Sequence, residues 1–220
     1  MREYQGCLAL IVCVLSACSG HPERGGADGP AVASSASSKR DIAAVSPSPA
    51  DHVHADTSWN FRVAVPPGWK VDHDFRHGYL ANGAWKTYAA PDSRGTPIVS
   101  LSVPGSNQIT SAEIRIGASR GADEIAHCAA PPDSVRSGSL HLERIGGAEF
   151  TAFDASDAAM SHYLDVHAYR AVHDGACYAI DLLVYGSNPQ VYDPPPTLPF
   201  SKEQAFARMQ AVLQTFRFTR

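Results

Sequence analysis

The chain has 220 residues, 44% of them hydrophobic and 18% charged, with a formal net charge of −4 at pH 7. A mildly acidic chain without a Lys/Arg cluster is not built to neutralise a phosphate backbone, so nucleic acid is not an expected partner. The length suffices for one substantial core, and no internal repeat divides it.

At the start of the chain, Arg2 supplies a positive charge, Gly6 to Leu15 an apolar run, and Ser16 and Ala17 two small residues ahead of Cys18. The run falls well short of the roughly 20 residues that cross a bilayer core as a helix, so it reads as an export signal and not as a permanent anchor. Leu15-Ser16-Ala17-Cys18 resembles the lipobox of bacterial lipoproteins. The resemblance implies a lipoprotein signal peptide over residues 1–17, removed so that Cys18 becomes the N-terminus and carries lipid such as palmitate. It also implies an address in the bacterial cell envelope. Ser19, in place of an Asp after the cysteine, favours the periplasmic face of the outer membrane. The alternative is an ordinary secretory signal that leaves a soluble protein and an unmodified Cys18.

Residues 18–58 are Ala, Ser, Gly and Pro with scattered charges, no aromatic side chain, and isolated Val32, Ile42, Val45 and Val53. Such a stretch does not bury enough apolar surface to offset its ordering entropy, and it is expected to be a disordered tether with a reach of roughly 35 Å. His52 and His54 at its end read as solvated residues.

From Trp59 the pattern changes. Trp59, Phe61, Val63 and Val65 alternate with polar or small neighbours, which predicts a strand with one buried face, and Pro66-Pro67-Gly68 ends it. Phe75 to Leu80 and Trp85 to Ala89 are expected as short strands around the Asn82-Gly83 turn signal. Ile98 to Val103 and Glu113 to Gly117 form a predicted hairpin. Asp123 to Ala129 is a short helix candidate with Ser119 available as its cap, stopped by Pro131-Pro132. Leu140 to Ile145 with Glu149 to Asp154 makes a second hairpin around Gly146-Gly147. Tyr163 to Val172 with Cys177 to Tyr185 makes a third around Asp174-Gly175, and the apolar run Ile180 to Val184 predicts a central strand. After a proline-rich loop, Ser201 and Gln204 match a capping box, and Ala205, Phe206, Met209, Val212, Leu213 and Phe216 lie along one helical face. Residues 59–220 therefore read as one α+β domain, a mainly antiparallel sheet packed by the C-terminal helix and a second short helix.

Phe61 to Trp69, with its strand and Pro-Gly-Trp turn, together with the late helix and closing Phe218, resembles the PsbP and Mog1-like family. That resemblance implies an antiparallel sheet between helices. It also implies a role as an assembly factor, adaptor or accessory subunit without chemistry of its own.

Five cysteines are present. If Cys7 and Cys13 leave with the signal and Cys18 takes lipid, Cys128 and Cys177 remain, and an even remainder in an exported domain predicts a disulfide, with two separate buried thiols as the alternative. Gly117-Ala118-Ser119-Arg120-Gly121 matches the Gly-x-Ser-x-Gly nucleophile elbow between a predicted strand and helix. Such a serine needs an imidazole as base, and His141, His162, His167 or His173 with Asp154 or Asp165 are the candidates. The parallel βαβ frame that normally exposes an elbow serine is missing, so the same residues also read as a capped strand exit. His73 with His77 raises a metal question, as does His127 beside Cys128, but neither pair has the further ligands of a zinc site. Trp59, Trp69, Trp85, Tyr88 and Tyr185 are candidate groove residues, or ordinary core and rim.

The expectation is a lipid-anchored, non-enzymatic binding, adaptor or assembly module with an unidentified envelope protein as partner and no cofactor or metal. A small envelope serine hydrolase using Ser119 and a small-ligand-binding lipoprotein are the alternatives.

Overall fold

In a computed structural model of the chain, residues 52–75 and 78–220 are described. The signal peptide, Cys18, most of the expected tether, and His77 lie outside them.

Among the described residues, ten strands and two α-helices follow in order: β1 (His52–Asp56), β2 (Phe61–Val65), β3 (Lys70–Asp72), β4 (Thr96–Ser102), β5 (Thr110–Ser119), α1 (Ala122–Ala126), β6 (His141–Ile145), β7 (Ala148–Ala159), β8 (His162–His173), β9 (Ala176–Ser187), α2 (Lys202–Leu213) and β10 (Arg217–Phe218). All pairings are antiparallel, which makes the class α+β. The strands form two sheets, of order β1-β2-β10 and β3-β4-β5-β9-β8-β7-β6.

The expected single sheet is corrected to two because β2 has neighbours of its own. β1 pairs with it from within the segment expected to be tether, ahead of the boundary expected at Trp59. His52-Val53-His54-Ala55-Asp56 carries almost no apolar signal. Backbone pairing on β2 holds it as an edge strand, so burial periodicity does not reveal it.

One face of the large sheet holds the main core. Ile114 and Ile116 of β5 and Tyr178, Ile180 and Leu182 of β9 pack against Phe61, Val63 and Val65 of β2 and Ala205, Met209, Val212 and Leu213 of α2. The α2 capping box is present, Gln204 N–H donating to Ser201 Oγ and Ser201 N–H to Gln204 Oε1. At the Pro-Pro-Gly turn, Trp69 N–H donates to the Pro66 carbonyl with Gly68 at φ +78°, the signature of a type II turn. β9 lies between β5 and β8, the central place expected for it.

The opposite face is covered differently from the expectation. No strand forms over residues 78–90; that stretch is a loop whose apolar residues, Ala81 and Trp85, together with Phe75 just before it, are pressed into the sheet. Loop anchors spaced a few residues apart imitate the alternation of a strand. α1 is five residues long and capped by Gly121 without a side-chain bond, so Ser119 is not its cap. The second layer is mainly this loop, with α1 beside it. β7 also runs beyond the expected Asp154 to Ala159, turning through Met160 and Ser161, both at positive φ.

Candidate functional site

The opposite face carries Ser119 and the disulfide cysteine Cys177 beside charged residues that the sequence does not single out. In register, Ser119 lies opposite Cys177, Gly117 opposite Ala179, and Arg115 opposite Asp181, so β5 and β9 carry these side chains on one side. β8 adds Arg170, which lies opposite Ala179.

A buried ion pair anchors the covering loop. Arg170 Nη1 donates to Asp181 Oδ1 at 2.6 Å and to the Tyr169 carbonyl at 3.0 Å. Asp181 Oδ2 accepts the Thr87 backbone N–H at 2.8 Å. Arg170 is 3% exposed and Asp181 1%, so each charge depends on the other for compensation. Directly after Thr87 the chain enters the left-handed region at Tyr88, φ +55°, a conformation that costs a non-glycine residue energy. The Tyr88 hydroxyl is buried without a hydrogen-bond partner. Burial first, and then Asp157, Asp181 and Asp165, push its pKa up to about 12, so it stays a protonated donor.

Between the 86–94 segment and the α1 segment lies a cleft of about 520 Å³, with Lys86, Thr87, Tyr88, Phe153 and Arg170 among its lining residues. Glu124 of α1 clasps the two walls. It takes Lys86 Nζ at 2.7 Å and the Arg94 N–H at 3.0 Å. Burial alone would raise its carboxyl, but the bonds from Lys86, Ser93 and Arg94 hold it below the ordinary value. Beyond α1, Cys128 is bonded to Cys177 of β9, closing a sequence separation of 49 residues and fixing that wall to the sheet.

Of the Gly-x-Ser-x-Gly residues Gly121 lines this cleft, and Gly117, Ser119 and Gly121 each have a structural task. A Cβ on Gly117 would stand 2.0 Å from the Trp85 carbonyl oxygen, so the glycine lets the loop backbone lie on β5. Ser119, 4% exposed, donates its hydroxyl to the Arg94 carbonyl and accepts the Gly121 N–H. Gly121 caps α1. The candidate bases bond elsewhere: His141 Nδ1 to the Ser139 carbonyl, His162 to Ser187, His173 to the Arg220 carbonyl, and His167 lies near Asp154 and stacks on Phe206. Asp165 meets Lys202 and Arg136. The geometry gives Ser119 the role of tying the strand exit to the loop.

The remaining candidates separate. His162 and His167 point to opposite sides of β8, His162 stacking on Tyr79 and His167 on Phe206. His73 bonds the Ile98 carbonyl, with the His54 ring 5.8 Å away, centroid to centroid. His127 bonds the Asp123 carbonyl. Among the described residues no three His, Cys, Asp or Glu side chains come together as a metal site. The five aromatic candidates line no common groove: Trp59 packs on Tyr178 and under Arg120, Trp69 joins the main core, Trp85 is buried beside the disulfide, and Tyr88 and Tyr185 border the cluster around Phe153 and Leu183. The Arg170–Asp181 pair is missed by sequence reasoning, since only the strand register places both on one face. Among the described residues no helix is long and apolar enough to cross a membrane.

No family model matches the chain, and no curated protein matches it. Among solved structures it is similar to a Bacteroides thetaiotaomicron protein, at 12% identity and TM-score 0.41, over 76% of this chain and 48% of that one. This chain thus spans about half the length of that protein. It is also similar to LpqN, described as involved in cell envelope biogenesis of Mycobacterium tuberculosis, at 10% identity and TM-score 0.39, over 73% of this chain and 83% of that one.

Proposed function

We propose that this chain is a lipid-anchored module of the bacterial cell envelope that binds without catalysing a reaction. The address rests on the Leu15-Ser16-Ala17-Cys18 lipobox, and acylated Cys18 would hold the domain on the periplasmic face of the outer membrane. Likeness to the PsbP and Mog1-like family, carried by Phe61 to Trp69 and the late helix, belongs to the same proposal and accords with an adaptor or assembly role.

The observation that carries the binding reading is the contrast at the loop-covered face. The serine of the only elbow-like motif is buried and spent on the Arg94 carbonyl and Gly121 N–H. Near it lies an open cleft with Arg170 and Tyr88 in its wall, the Arg170 guanidinium held by Asp181 and the Tyr88 hydroxyl buried without a partner. A concavity of this size lined by both signs of charge favours small-ligand binding as the second reading within the same class. The test is reaction of the folded protein with a serine-directed fluorophosphonate. No labelling of Ser119 is expected. Labelling of the wild type that disappears in Ser119→Ala would overturn the proposal in favour of a hydrolase.

A further inference from the structure

The far end of the large sheet carries a second concavity, built from different chemistry. Its lining comes from the 78–80 loop, the β4–β5 connection, the start of β8 and the end of β9. It includes Tyr79, Tyr163, Tyr185 and His162 with Asn107, Gln108 and Ser111, encloses about 380 Å³, and among the described residues has no Asp, Glu, Lys or Arg in its lining. The cleft beside α1, by contrast, is lined by both signs of charge.

The aromatic groups are held in place. Tyr79 stacks nearly parallel on His162, centroids 4.4 Å apart and planes 19° apart, yet remains 62% exposed. One side of its ring is therefore supported while much of the residue stays open. His162 follows directly on the Met160–Ser161 turn, where two non-glycine residues sit at φ +50° and +67°, and its Nδ1 lies 3.2 Å from Ser187 Oγ. Tyr163 Oη is 2.6 Å from Thr110 Oγ1. The loop carrying Tyr79 is tight, Gly78 N–H donating to the Ala81 carbonyl, and Gly78 passes so close to the Tyr185 ring that a Cβ there would lie 3.2 Å from it.

Among the described residues the polar rim is neutral. Asn107 Oδ1 accepts the N–H groups of Ile109 and Thr110, which orients the amide so that its NH₂ remains for a ligand. Gln108 lines the groove through a second amide. A charged ligand calls for an opposite charge or an anion cradle. A hydrocarbon ligand leaves the amides unsatisfied. A sugar ring matches both halves, because its C–H face lies on an aromatic ring while its hydroxyls meet neutral amides and phenols. We infer that this groove binds a neutral saccharide, with Tyr79 as the stacking platform and Asn107 and Gln108 as hydrogen-bonding partners. The inference concerns a site separate from the α1 cleft.

The test is calorimetric titration of the full chain, purified in detergent, with the tetrasaccharides of N-acetylglucosamine and of glucose, and with tetragalacturonate as the charged control. Binding of at least one neutral tetrasaccharide with a Kd of about 1 mM or tighter is expected, lost about tenfold in Tyr79→Ala and kept within about twofold in Tyr79→Phe. Tyr79→Ala should melt at the wild-type temperature, since the residue is exposed, and this separates lost binding from lost folding. No binding of either neutral sugar, equal binding by Tyr79→Ala, or preference for tetragalacturonate would overturn the inference.

Discussion

Removing the Cys128–Cys177 bond tests how the loop-covered face is held. The cross-link closes a sequence separation of 49 residues. In the chain-entropy treatment a loop of about 50 residues restricts the unfolded ensemble by about 4 kcal/mol at 25 °C. For a domain of this size each kcal/mol moves the melting temperature by about 2–4 °C, so Cys128→Ser with Cys177→Ser should lower it by about 8–16 °C. Both sulfurs are buried with Trp85 and Ala179, and Ile125 packs against them, so the loss should also have a local component. Hydrogen exchange should accelerate over 121–132 more than over β8 or α2. The assay is calorimetric melting of oxidised wild type, reduced wild type and the double variant, with exchange read by mass spectrometry. Reduced wild type and double variant should agree. A melting temperature within about 2 °C of the oxidised protein would refute the reasoning, because the link would then constrain neither the unfolded chain nor the α1 wall.

Asp181→Ala leaves Arg170 buried and unpaired and the Thr87 N–H without its acceptor. The expected cost in denaturant titration is about 3–5 kcal/mol, largely restored by adding Arg170→Met, and a single-variant cost below about 1 kcal/mol would contradict the ion pair's role. Glu124 has a pKa below its ordinary value of 4.5. A carboxyl depressed in the folded state contributes stability that is fully present above its unfolded pKa and is lost as pH falls through the folded one. Glu124→Gln should therefore flatten the acid limb of a stability–pH profile below about pH 4.5 while lowering the neutral plateau. An unchanged acid limb would mean that Lys86 and Arg94 do not act on the charged form.

Legibility followed how each element is held. β8, β9 and their Asp174-Gly175 turn were readable because long apolar runs flank two residues that take positive φ readily. α2 was readable because its capping box and apolar stripe are both local. β1 was not, because an edge strand paired through its backbone needs no apolar period. The Met160–Ser161 turn hid the length of β7, since neither residue is one that normally marks positive φ. Trp85 misled because a buried loop anchor and a strand residue share the same hydropathy. Gly117-Ala118-Ser119-Arg120-Gly121 was ambiguous for a related reason: close approach, a hydroxyl tie and a helix start require the same residue types as a nucleophile elbow. The Arg170–Asp181 pair and the Tyr79–His162 stack depend on strand register and on a loop folding back, which no local pattern records.

The central claim, a module held at the envelope by lipid on Cys18, is tested most directly by intact mass and membrane fractionation of the native protein beside Cys18→Ala. The expected result is a mature mass that begins at Cys18 and carries acyl chains, with Cys18→Ala unacylated and lost from the membrane fraction. An unacylated, soluble mature protein would contradict the anchor and leave a freely diffusing ligand-binding domain in its place.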